Sequence, residues 1–185
     1  MHSLTSGAAM CYNGSVQFGR NTDMKAIIYQ SKTGFTERYA KTLSEKTGIP
    51  AYTLKAAKKS VEKGAEVIYL GWVFANKITD FKKAAKRWNI AAVGAVGMNP
   101  QCEANTQLIR QANNPQCPLF YLRGGLDVSR LKPMQKWTLD MVRKGLEKEN
   151  KAEYADAVAL LKQGGDFYSE ENLSALLALV LLKQA

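Results

Sequence analysis

The residues best suited to chemistry lie in one short run, Ser31-Lys32-Thr33-Gly34-Phe35-Thr36. Three hydroxyls, a lysine and a glycine stand between an apolar run and the start of a helical pattern. Hydroxyls donate to phosphate oxygens, and so do the unpaired amides of a helix N-terminus. Gly34 lets the backbone come close to such a group. The run lacks the Gly-Lys-Ser/Thr of a Walker A loop. It is not Gly-x-Gly-x-x-Gly either, which argues against a dinucleotide. A polar turn that only caps a helix fits the same residues.

Other chemistry is sparse. The histidine is His2, and the cysteines are Cys11, Cys102 and Cys117, with no Cys-x-x-Cys pair. A Cys/His metal site and a disulfide framework are therefore not expected. A reducing, cytoplasmic setting is the expectation. No Ser-His-Asp set can be assembled around His2. Arg123, Asp127 and Arg130 read as loop ion pairs first and as an acid-binding patch second. Cys102 reads as an ordinary thiol. Met134, Trp137 and Met141 have the spacing of a core stripe.

The run at 31–36 needs elements to hold it. Ala26–Tyr29 is a short apolar run suited to a buried strand. Phe35, Tyr39 and Leu43 recur on one helix face, and Gly48 and Pro50 end that helix. Ala51–Leu54 reads as a second strand and 55–64 as a short helix. Val67–Leu70 is a third strand ending at Gly71. Ile78, Phe81, Ala85 and Trp88 mark a helix face. Ile90–Val96 is a small-residue strand, and 103–112 a weak helix. Leu119–Leu122 is a fifth strand. Leu131, Met134, Thr138, Met141 and Val142 line a helix to about residue 149. Ser169 caps a last helix with a stripe of Leu173, Leu176, Leu177, Val180 and Leu181. Regular alternation of strand and helix predicts an α/β fold with a parallel sheet and helices on both faces. Residues 1–23 are rich in Gly, Ser, Asn and Thr and lack apolar periodicity, so they read as an extension or remnant ahead of a domain over 24–185.

The 185 residues are 46% hydrophobic and 23% charged, which suits a globular chain and argues against general disorder. No apolar run is long enough for a membrane-spanning helix. The net charge is +10. Residues 24–100 hold 14 of the 26 basic side chains and 5 of the 16 acidic ones. Such a field attracts anions: a phosphorylated cofactor, an acidic protein or an anionic lipid surface. No recognisable nucleic-acid module is present, so nucleic acid is not expected as a partner.

Ser-x-Thr-Gly-x-Thr directly after a first strand resembles the phosphate loop of flavodoxins. The stretches Tyr69-Leu70-Gly71-Trp72-Val73-Phe74-Ala75-Asn76-Lys77 and Phe120–Asp127 are similar to a bacterial flavodoxin-domain branch related to flavodoxin-like protoporphyrinogen oxidases. Gly164-Gly165-Asp166-Phe167 ahead of Glu171-Asn172-Leu173 carries the same likeness. The resemblance implies a three-layer α/β/α sandwich with a five-stranded parallel sheet of order 2-1-3-4-5, plus an extra C-terminal helix. It implies FMN as cofactor. Ser31, Lys32, Thr33, Gly34, Phe35 and Thr36 would hold its phosphate. Two loops would flank its ring: Trp72, Val73, Phe74, Ala75, Asn76 and Lys77, then Gly97, Met98 and Asn99. The second of these loops has no aromatic, where many flavodoxins place a tyrosine. The +10 charge also departs from the acidic habit of flavodoxin electron carriers.

Three functions follow as expectations. The first is an electron carrier working through an exposed flavin edge, with a redox partner protein. The second is a protoporphyrinogen dehydrogenase-type enzyme with a quinone acceptor, docked on an anionic membrane. No long insertion beside the ring loops is apparent in the sequence to shape such a substrate site. The third is a flavin-free binding module on the same fold.

Overall fold

A computed structural model describes residues 24–151 and 154–184. The 1–23 extension lies outside the described residues.

Five parallel strands form the centre: β1 (Ala26–Gln30), β2 (Ala51–Thr53), β3 (Glu66–Phe74), β5 (Asn89–Gly97) and β6 (Leu119–Arg123). Their order is β2-β1-β3-β5-β6. Setting aside the short β4 (Lys77–Ile78), which pairs antiparallel with β3, this is the expected 2-1-3-4-5 arrangement. The strands buried on both faces are near-continuous Val, Ile, Leu and Ala, as a covered parallel sheet requires.

Each face has its own core. On one side α1 (Phe35–Thr47) and α7 (Ser174–Gln184) lie over the sheet. Phe35, Tyr39 and Leu43 pack there with Ile27, Leu70, Leu173, Leu176 and Val180. On the other side lie α2 (Leu54–Ser60), α3 (Phe81–Ala85) and α4 (Glu103–Asn113). Leu54, Phe81, Trp88 and Ile109 pack against Ile28, Tyr69 and Val93.

Local differences from the sequence reading have local causes. Leu54 is not a strand residue: the Thr53 hydroxyl accepts the Ala56 amide at 3.2 Å and starts α2 one residue early. That helix stops at Ser60, short of residue 64. Ile78 belongs to β4 rather than to a helix face. The inward alanine of α3 is Ala84, not Ala85. Ser169 does cap, accepting the Glu171 amide, but it caps a 3-10 turn over Glu170–Leu173 that leads into α7.

The largest departure follows β6. Gly125–Leu126 (β7) pairs antiparallel with Gly165–Asp166 (β8). Between these two short strands the chain makes an excursion over 127–164. It carries a 3-10 turn at Val128–Arg130, then α5 (Pro133–Glu149) and α6 (Ala155–Gln163), which pack on each other. No residue of α5 is buried. The stripe of Met134, Trp137 and Met141 is not core: these side chains are 77%, 64% and 54% exposed. Their helical spacing is real, but among the described residues no layer covers that side of α5. Among the described residues no helix is long and apolar enough to cross a membrane.

Candidate functional site

The 31–34 loop leaves the carboxyl end of β1 and turns into α1. Gly34 stands at the helix start with φ of 100°, in the left-handed region that favours glycine. Its amide donates to Ser31 Oγ at 3.2 Å, and its carbonyl accepts the Arg38 amide at 2.9 Å. Ser31 therefore shapes the loop. Among the described residues no side chain caps α1. The amides of its first turn have no partner within the helix, and the positive end of the helix dipole lies with them.

Lys32, Thr33, Phe35 and Thr36 line a cavity of about 510 Å³. Thr36 is buried, yet among the described residues its hydroxyl and that of Thr33 have no hydrogen-bond partner. Ser31 and Gly34 set the backbone beside the cavity rather than its wall.

A second wall comes from β3. The strand runs past Gly71 to Phe74, so Trp72, Val73 and Phe74 are strand residues and not loop residues. All three line the cavity. The rings of Trp72 and Phe74 stand 6.1 Å apart at 56°. Lys32 Nζ lies 5.2 Å from the centre of the Trp72 ring, a cation–π distance. Neither Trp72 nor Phe74 is core, and Phe74 is exposed.

Ala75 and Asn76 form the two-residue turn between β3 and β4, with φ of 46° and 62°. Two successive left-handed residues are what a tight hairpin with the right-handed twist demands. Both line the cavity, whereas Lys77, an exposed β4 residue paired with Phe74, is not part of its lining. The turn is pinned from α4. Buried Asn113 donates from Nδ2 to the Asn76 carbonyl at 2.7 Å and accepts the Ile78 amide on Oδ1 at 2.9 Å. Sequence reasoning missed Asn113; a polar residue at the end of a weak helix gave no sign of a partner 37 residues back.

The third wall is the end of β5. Val96, Gly97, Met98 and Asn99 line it, with Tyr121 from β6 beneath. A Cβ on Gly97 would stand 2.5 Å from Tyr121 Oη, so the tyrosine fills the space a side chain would take. Tyr121 donates to the Asn99 carbonyl at 2.9 Å. Burial pushes its phenol well above the ordinary tyrosine value, so it stays a neutral donor. The loop itself has no aromatic, but a neighbouring strand puts one under it.

The excursion forms the roof. Leu131, Gln135, Thr138, Leu139 and Val142 face the cavity, with Leu161 from α6. The residues 131, 138 and 142 of the expected stripe thus line the cavity, with Thr138 and Val142 still exposed, while 134, 137 and 141 lie outside its lining. This roof comes from the segment after β7 and not from the two ring loops, beside which the chain stays short as the sequence suggested. Asp127 and Arg130 of that segment form the expected ion pair at 3.2 Å. Arg123 instead lays its guanidinium 3.9 Å from the centre of the Phe167 ring.

The cavity therefore offers three kinds of surface. One end offers hydroxyls and helix amides to an anion. The middle offers aromatic and backbone surfaces to a flat ring, and the roof is apolar. Among the described residues no cluster of three or more His, Cys, Asp or Glu is placed to hold a metal.

A family model described as Flavodoxin domain matches residues 26–153. None of the curated proteins matches the sequence.

Proposed function

The chain belongs to the flavodoxin-domain family, and from that premise we propose that it is an FMN-binding redox protein. One observation carries the proposal: a single cavity joins the phosphate-type loop at 31–36 to the Trp72–Asn76 strand end. The residues present fit the cofactor. Unpartnered hydroxyls of Thr33 and Thr36 and the first-turn amides of α1 suit its phosphate. Trp72 and Phe74 offer faces to its ring, and the Asn99 and Asn76 backbones flank it. Bound FMN would supply one- and two-electron redox chemistry. The chain's own part is to fix the ring, keep water from its faces and set the charge around it. The Asn113 contacts hold the Ala75–Asn76 turn rigid, and Tyr121 holds the opposite loop. The free thiols of Cys102 and Cys117 suit a reducing, cytoplasmic setting.

Titration with FMN, read by quenching of flavin fluorescence, tests this. Binding that weakens at least tenfold in Thr33→Ala/Thr36→Ala is the expected result. No binding at micromolar FMN, with the variant indistinguishable from the parent, would refute it.

The roof favours a second reading in which the protein is itself an enzyme. Leu131, Leu139, Val142 and Leu161 make an apolar ceiling above the ring wall, which a pure carrier with an open flavin edge does not need. In this reading a large, mostly apolar substrate with acidic side chains, such as protoporphyrinogen, gives up electrons there, and a quinone accepts them. The outward Met134, Trp137 and Met141, beside Lys144 and Lys148, would rest on an anionic bilayer. Turnover of protoporphyrinogen with a quinone acceptor separates enzyme from carrier. Vesicle co-sedimentation lost at high salt tests the docking.

A further inference from the structure

We propose that Arg130, which stands beside the cavity between the lining residues Leu126 and Leu131 rather than in the lining itself, is a phosphate-binding residue contributed by the excursion rather than by the loop. The inference rests on the reading of the cavity as an FMN site. It concerns how the phosphate is recognised.

The 3-10 turn Val128–Arg130 brings the arginine back across the start of α1. A Cβ built on Gly34 would lie 2.6 Å from Arg130 Nη1 and 3.6 Å from its Cζ. The guanidinium is therefore seated on the one residue of the 31–36 loop that has no side chain. Any other residue there would push it off, quite apart from the strain of φ near 100°.

The turn is built to aim it. Asp127 accepts the Ser129 amide at 3.0 Å and the Ser129 hydroxyl at 2.5 Å. These bonds, with a smaller contribution from Arg130, hold the Asp127 carboxyl below the usual carboxylate range. Asp127 Oδ2 then takes Arg130 Nε at 3.2 Å. That contact uses the inner edge of the guanidinium and leaves Nη1 and Nη2 without partners among the described residues. Their donors form a fork that fits two phosphate oxygens.

The loop's own cation, Lys32, lines the cavity on the side of the Trp72 ring, 5.2 Å from its centre. The charge over Gly34 is supplied by Arg130. The side chain is 62% exposed, so its contribution is screened by solvent and salt. A charge-assisted pair of this exposure corresponds to a change in affinity of roughly tenfold.

The test compares FMN with riboflavin, which lacks the phosphate. Parent, Arg130→Ala and Arg130→Lys are titrated with each, at low and at raised salt. Arg130→Ala should bind FMN about tenfold more weakly and riboflavin as the parent does. Arg130→Lys should recover part of the loss, and raised salt should narrow the gap. An equal loss toward both flavins would overturn the proposal, since it would mean a general distortion. So would unchanged FMN affinity in Arg130→Ala while the parent binds. A parent that binds neither flavin would refute the cofactor reading itself, and this inference with it. Circular dichroism melting of each variant confirms that the exposed substitution leaves the fold intact.

Discussion

Asn113 Nδ2 lies 2.7 Å from the Asn76 carbonyl, joining the end of α4 to the hairpin turn on the cavity wall. The same amide accepts the Ile78 amide and donates to the Ile109 carbonyl. One buried side chain thus holds both sides of the turn and its own helix. Asn113→Ala should cost about 2 kcal/mol in urea unfolding, because the buried Ile78 amide is left without an acceptor. It should also weaken FMN binding by loosening the turn. Asn113→Asp keeps the acceptor but sets a buried carboxylate oxygen against the Asn76 and Ile109 carbonyls, so it should cost at least as much as alanine.

Ala75 occupies the left-handed region at φ of 46°. Asparagine tolerates that region and alanine does so at a cost. Ala75→Gly should raise stability by about 0.5 kcal/mol, a balance of relieved strain against greater unfolded-chain entropy. Ala75→Val should lower it by more than that. Urea midpoints measured on the three proteins check both directions.

Gly97→Ala would drive a methyl into the Tyr121 ring, 2.8 Å from Cε2 and 2.5 Å from Oη. The expected cost is about 1–3 kcal/mol, as for other overpacked sites. Tyr121 also holds the Asn99 carbonyl, so flavin release should speed up. The hydroxyl is the closest atom and its removal relieves part of the overlap, so the Gly97→Ala/Tyr121→Phe pair should cost less than the sum of its parts.

Tyr69 donates to the Thr79 carbonyl at 2.6 Å, and burial pushes its phenol above the ordinary value. The unfolded phenol ionises near pH 10, while the folded one stays neutral. Tyr69 therefore contributes its full stability below about pH 10 and loses it as pH rises further. Melting temperature should fall steeply on that alkaline limb. Tyr69→Phe should flatten the limb, at about 1 kcal/mol of stability near neutral pH for the unpaired Thr79 carbonyl.

Much of this arrangement was legible in the residues. Ile27, Ile28, Val67 and Ile68 read as buried strands because a covered parallel strand is apolar on both faces. Phe35, Tyr39 and Leu43 read as a buried helix face, and that is what they are. What stayed hidden depends on contacts distant in sequence. Asn113 finds Asn76 only after the sheet has formed. Trp72–Phe74 continues β3 because β4 pairs with it, and two residues at 77–78 give no pattern of their own. The period of α5 correctly indicated a helix. It could not tell which flank meets the cavity, since Thr138 and Val142 look no more buried by type than Trp137 and Met141. Arg130 read as a loop ion pair, which it is, but nothing nearby in sequence pointed to Gly34.

The pairing of Gly125–Leu126 with Gly165–Asp166 has a consequence for how such a chain can change. The excursion leaves and returns through one narrow neck, and α7 resumes its place beside α1 as though nothing had intervened. Substitutions, insertions or deletions between residues 127 and 164 can reshape the ceiling of the cavity while the sheet, its register and the 31–36 loop stay as they are. The ceiling of the cavity is thereby free to diverge on an unchanged floor, and exchanging this single cassette would alter what the cavity accepts without refolding the domain.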